Sequence, residues 1–159
     1  MSPASPKPAS AAVSDAYPHR WTVLTAVCLA LFMILLDGTI VNVSIPSIAE
    51  GLGASFAQAE WVLNAYTLVF AAMLVTFGRL GDMFGRKRFF ISGLVIFGVG
   101  SLACGLATTT GLLIGARVVQ ALGAAFLMPA TLSLTAVNFP PEQRGLAMGI
   151  WGAVSGVAS

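Results

Sequence analysis

The placement of the eight Lys and Arg residues constrains this 159-residue chain more than any other feature. Seven of them lie in three short segments: Lys7 and Arg20; Arg79, Arg86, Lys87 and Arg88; and Arg144. Long apolar stretches separate these segments, and the two intervening turns, around residues 46–60 and 108–110, contain no basic residue. Basic residues gather on the cytoplasmic side of multi-spanning membrane proteins, so the pattern predicts helices that cross a bilayer back and forth. The eighth basic residue, Arg117, falls inside an apolar stretch, where a charge is costly and marks function.

Composition supports this reading. Only 9% of the residues are charged and 57% are hydrophobic, with a mean hydropathy of +0.90. A soluble domain averages about 25% charged residues, so a soluble fold of this chain could not cover its surface with polar groups. No basic patch interleaved with aromatics points to nucleic acid. Cys28 and Cys104 lie in apolar segments without disulfide or metal spacing and read as small packing residues. There is no nucleophile–base pair, metal-ligand cluster or phosphate loop. The sequence therefore predicts neither an enzyme nor a cofactor or metal.

Residues 1–20, rich in Pro, Ser and Ala, read as a disordered cytoplasmic tail, and residues 21–159 as an all-α transmembrane bundle. The predicted helices cover about residues 21–45, 60–77, 89–107, 111–137 and 145–159, the first four set by apolar runs long enough to span the membrane and by the Pro, Gly and charged residues that bound them. Trp21 and Trp61 are placed as interfacial anchors, and Pro129 as a kink. Small residues recur four apart at Gly111 and Gly115, Ser101 and Gly105, Gly145 and Gly149, and Gly152 and Gly156, a spacing that lets helices approach closely in lipid. The fifth segment would reach only about 22 Å into a core of about 30 Å. The expectation is thus four full spans and an incomplete fifth, with a missing C-terminal portion of the same protein as partner.

Two charges lie within the spans. Asp37 follows Arg20 by seventeen residues, about 25 Å above the inner edge. Arg117 lies about 10 Å below the outer edge. In a core of about 30 Å the two depths differ by only around 5 Å, so the pair can meet if the first and fourth helices are neighbours. On the fourth helix Arg117, Gln120, Ala124, Met128 and Thr131 share one stripe, which must face protein or a water-filled cavity. Met33, Asp37 and Ser44 share a stripe on the first. Asn42 lies roughly 140° from Asp37, and the expectation is that it bonds a neighbouring helix. Asn64 and Tyr66 are expected to be packing polar groups.

The run Gly78-Arg79-Leu80-Gly81-Asp82-Met83-Phe84-Gly85-Arg86-Lys87-Arg88 resembles the loop between helices 2 and 3 of the major facilitator superfamily. Leu36-Asp37-Gly38-Thr39-Ile40-Val41-Asn42-Val43 with Pro46 resembles the first-helix motif of its drug/proton antiporters, and Trp61-Val62 with Tyr66 and Leu68 fits their fourteen-helix branch. Arg117-Val118-Val119-Gln120 with Gly123-Ala124-Ala125 is similar to the fourth-helix motif. The chain departs at Ala121, where that motif usually has Gly, and at Met83, where the loop commonly has Arg. The Gly-rich fifth-helix motif is only begun by Gly152 and Gly156.

The resemblance implies two six-helix bundles that rock around a central cavity in a cell membrane, with the N-terminus cytoplasmic. It implies Asp37 as the proton-coupling carboxylate and Arg117 as the residue tuning it, with Gln120 beside them in the cavity. Gly78, Asp82, Gly85 and Arg86 would form a conformational latch on the inner side. The partners would be a small-molecule substrate, protons and the lipid bilayer. The function expected on this basis is proton-coupled export of drugs or other hydrophobic or cationic compounds. A transporter of a sugar, amino acid or organic acid, and a non-transporting membrane subunit, are the alternatives.

Overall fold

The structure, a computed structural model, describes residues 18–158. Most of the expected tail lies outside the described residues. Five helices and no strand are found among them: α1 Arg20–Leu52, α2 Phe56–Phe84, α3 Arg86–Gly105, α4 Thr110–Asn138 and α5 Pro141–Ala158. The first four are long and apolar enough to cross a membrane, with mean hydropathies of 2.3, 1.6, 1.7 and 1.7 over their most apolar windows. The chain is an all-α, multi-pass membrane protein.

The helix ends differ from the sequence reading, and local chemistry explains each difference. Proline was expected to end the first helix, yet α1 runs through Pro46 to Leu52. Proline is tolerated inside membrane helices, where neighbouring groups re-satisfy the backbone it frees. The stop is instead Gly53, at φ 59° and ψ 31°, the left-handed conformation in which glycine closes helices. α2 begins four residues before the expected start because Ser55 and Gln58 form a reciprocal capping box: Ser55 Oγ accepts from the Gln58 amide and Gln58 Oε1 accepts from the Ser55 amide. Thr109 caps α4 in the simpler way, accepting from the Leu112 amide. Pro141 occupies the first position of α5, where its missing N–H costs nothing.

The expected loop of residues 78–88 is almost entirely helical. α2 continues to Phe84 and α3 starts at Arg86, leaving Gly85 as the single joint. Its φ of 101° is open to glycine and strained for any L side chain. Arg79 to Phe84 contain no residue that opposes helix other than Gly81, so nothing breaks α2 earlier.

α4 is the centre of the bundle. Half of its most apolar window is buried, against 28% for α1, 17% for α3 and 11% for α2. It packs most extensively on α3, then on α2, then on α1. Ala30, Ile34, Phe97, Ala124 and Leu127 form the main core cluster, joined by Met33, Tyr66, Phe70 and Phe90. A smaller cluster of Leu24, Phe139 and Ala147 closes the end bearing Arg20, Arg86 and Arg144. There Trp21 sets its ring edge-on to Phe139 at 5.5 Å, so it is a packing residue as well as a half-exposed one. Val43, Val75, Leu102 and Leu106 are each more than 70% exposed and form part of the apolar outer wall that lipid would cover.

Close helix approach is achieved by glycines other than those spaced four apart. Gly105, Gly111, Gly115, Gly145, Gly149, Gly152 and Gly156 each face open space. The tight crossing is α3 on α4. A Cβ on Gly100 would lie 2.7 Å from the Gln120 backbone, one on Gly93 would lie 2.8 Å from Phe126 Cβ, and one on Gly123 would overlap the Phe97 backbone. These three lie on the facing sides of one antiparallel helix pair, whereas the four-residue repeats lie on faces that meet nothing in the bundle. Gly123→Leu should therefore separate α3 from α4, with a destabilisation of at least the ~1–3 kcal/mol typical of overpacking. Gly111→Leu should leave stability within ~0.5 kcal/mol. Thermal unfolding of the two variants in detergent checks the contrast.

Candidate functional site

α1 and α4 bring Asp37 and Arg117 together, although 80 residues separate them in sequence. Arg117 Nη1 donates to Asp37 Oδ2 at 2.6 Å and to Gln120 Oε1 at 2.7 Å. Gln120 Nε2 donates in turn to Asp37 Oδ1 at 2.8 Å. Each carboxylate oxygen thus accepts one bond, and the three side chains close a ring. Arg117 and Gln120 are adjacent on the helix surface because they are three residues apart.

Burial makes this ring strong. The Arg117 side chain is 2% exposed and that of Asp37 18%, so the carboxylate keeps partial access while the arginine has almost none. Taking either charge out of water alone would be prohibitive; together, and hydrogen-bonded, they compensate one another. The stripe on α4 faces the protein interior: Gln120, Ala124 and Thr131 are at most 1% exposed. Thr131 Oγ1 donates to the Met128 carbonyl at 2.7 Å and accepts from Trp151 Nε1 at 3.4 Å, which ties α5 to the same face.

Two further residues join the site. The Arg117 Cζ atom lies 4.3 Å from the centre of the Tyr66 ring, within reach of a cation–π interaction. Cys104 Sγ lies 3.6 Å from Gln120 Oε1. Both were expected to be packing residues. Depth offers a signal for Tyr66: it stands ten residues into α2 from Phe56, about 15 Å from that helix end and near the level of Arg117. No comparable signal marks Cys104. Asn42 stays outside the site and does not reach a neighbouring helix; its Nδ2 donates to the Gly38 carbonyl of its own helix at 2.9 Å. A polar amide in an exposed position on α1 satisfies itself with the nearest carbonyl, one turn back.

The residues of the second motif gather near the other end of the bundle. Arg86 Nε donates to Asp82 Oδ1 at 3.1 Å across the α2–α3 joint. Arg86 Nη1 also donates to the Ser133 carbonyl of α4 at 3.3 Å. A Cβ on Gly78 would lie in ordinary contact with Pro129, and the buried glycine of the run is Gly81, where a Cβ would meet the Phe89 ring. Gly85 supplies the turn. Among the described residues no group of His, Cys, Asp and Glu could hold a metal ion.

Comparison with known proteins bears on the family and the fold. Residues 27–159 match the family described as Major Facilitator Superfamily. The puromycin resistance protein of Streptomyces alboniger is 44% identical over 148 residues, covering 92% of this chain and 29% of that protein. The riboflavin transporter RibZ of Clostridioides difficile is 39% identical over 141 residues, covering 89% and 31%. A solved bacterial homologue of the human lysosomal transporter Spinster, in an inward-facing and unoccupied conformation, superposes with a TM-score of 0.79 at 28% identity, covering 89% of this chain and 30% of that one. The chain thus spans about 26–31% of the length of the curated relatives it matches.

Breaking the ring from one side should cost more than removing it. Arg117→Met alone leaves a carboxylate in apolar surroundings and should cost ~3–5 kcal/mol, while Asp37→Leu combined with Arg117→Met should cost less than the sum of the two single changes. Thermal unfolding of the three variants in detergent reads the difference.

Proposed function

The chain belongs to the Major Facilitator Superfamily, and from that membership and the ring of Asp37, Arg117 and Gln120 we propose that it forms part of a proton-coupled exporter of drug-like, hydrophobic or cationic compounds. The role is that of a transporter segment, not an enzyme. The single observation that carries the reading is an ion pair held inside the bundle with one member, Asp37, still partly accessible. Ionisable groups inside membrane segments mark ion and substrate pathways.

The chemistry follows from the hydrogen bonds. A proton arriving at the accessible carboxylate neutralises Asp37 and weakens its bond to Arg117. Arg117 keeps its charge and its bond to Gln120 Oε1. The site then carries net positive charge, which disfavours a bound cation and favours its release. Loss of the proton restores the neutral pair. One carboxylate can in this way make proton binding and cation binding alternatives at one place.

The second motif supplies the conformational side. Arg86 links the α2–α3 joint to the Ser133 carbonyl of α4, a contact that can form in one arrangement of helices and break in another. Asp82 holds the arginine in register for it. The cluster of Arg20, Arg86, Lys87, Arg88 and Arg144 at one end supports a cytoplasmic location for that end and for the N-terminus.

Resistance to puromycin in the Streptomyces alboniger relative supports drug export. A metabolite substrate is the second reading, favoured by the riboflavin transporter among the relatives. Cells making the native gene product should accumulate less of a cationic dye such as ethidium, and Asp37→Asn should abolish that effect while membrane expression persists. Undiminished efflux by the Asp37→Asn protein would rule out the proposed coupling. Riboflavin flux without dye efflux would select the second reading. Arg86→Gln should slow efflux by roughly tenfold or more while leaving dye binding intact, as expected of a contact worth at least ~1.4 kcal/mol in one conformation only.

A further inference from the structure

We infer that Tyr66 is a positioning residue whose ring face holds the Arg117 guanidinium in place independently of Asp37. The inference rests on the proton-coupling reading of that ion pair for its purpose, but not for its geometry.

The anchors of Arg117 are few. Nη1 carries both in-plane bonds, to Asp37 and to Gln120. Nε is buried and makes no hydrogen bond. A further contact sets the guanidinium carbon over the Tyr66 ring, 4.3 Å from its centre. The Tyr66 hydroxyl is buried and likewise makes no hydrogen bond. What Tyr66 gives to the site is therefore the negative face of its ring, not its oxygen.

The ring is itself fixed. It lies nearly parallel to Phe70, one turn further along α2, with centroids 6.1 Å apart and planes 9° apart. Both rings pack on the core cluster formed by α1, α3 and α4. α2 contributes no hydrogen-bonding group to the Asp37 ring, so Tyr66 is how this third helix reaches the pair.

The consequence concerns what happens when Asp37 takes a proton. The titratable side chains that meet the pair are Tyr66 from α2 and Cys104 from α3, and neither carries a compensating charge. An arginine held by Asp37 alone would then be free to swing away. Held as well by the Tyr66 face and by Gln120 Oε1, it stays, and Asp37 can release its proton beside the same cation. Cation–π attraction is greatest in desolvated surroundings, and Arg117 is 1% exposed.

The test replaces Tyr66 in the native gene product with phenylalanine and then with mono-, di- and trifluorophenylalanine. Fluorination drains the ring face while nearly preserving its shape, so a purely structural role would not follow the series. The melting temperature in detergent is expected to be unchanged or raised in Tyr66→Phe. It should then fall stepwise, by about 2–4 °C from phenylalanine to the trifluoro ring. In the Asp37→Asn background, where the carboxylate charge is gone, the fall should be at least as large. A flat series in both backgrounds would overturn the inference. Efflux retained in Asp37→Asn would instead overturn the coupling reading while a stepwise series kept the ring contact, so the two failures are distinguishable.

Discussion

A guanidinium with almost no exposure, in a bundle whose surroundings are lipid, has one tolerable state: paired. Much of this structure can be understood as the means of supplying that pairing. Arg117 needs a carboxylate, so α1 must lie against α4 at the level of Asp37. It gains further support from Gln120, three residues later, and from Tyr66, which reaches in from α2. Replacing such a pair by apolar residues often costs little. Its presence in a chain this apolar is therefore better explained by function than by stability.

α4 accounts for how the two motifs belong to one device. Arg117 and Gln120 stand near one end of this helix, and Ser133, which accepts from Arg86, stands near the other. Sixteen residues separate Arg117 from Ser133, roughly 24 Å along the axis. Both are carried by one continuous element with tight glycine contacts to α3. A displacement of α4 relative to α1 or to the α2–α3 joint would alter both contacts together.

Much of this was legible in the sequence, for reasons that can be named. Helix number and membrane character follow from apolar run length and charge placement, which are large effects. The meeting of Asp37 and Arg117 follows from depth, because a membrane fixes height and height can be counted along a helix. The ends were harder. Pro46 and the charged run around Asp82 look like stops in water but are carried inside helices here, and only Gly53 and Gly85 end them. The glycines that permit close packing, Gly93, Gly100 and Gly123, are not spaced four apart within one helix, so no local repeat marks them. Depth puts Tyr66 at the level of Arg117, but Tyr66 and Cys104 reach the site through the lateral arrangement of α2 and α3, which periodicity does not encode.

Gly85 separates two long helices by a single residue. Such an elbow has no slack. Its two dihedral angles are its only freedom, and one of them is already set at a value that an L side chain rarely adopts. Any change of angle between α2 and α3 at this joint is therefore concentrated on the backbone of one glycine, across which the Asp82–Arg86 pair reaches.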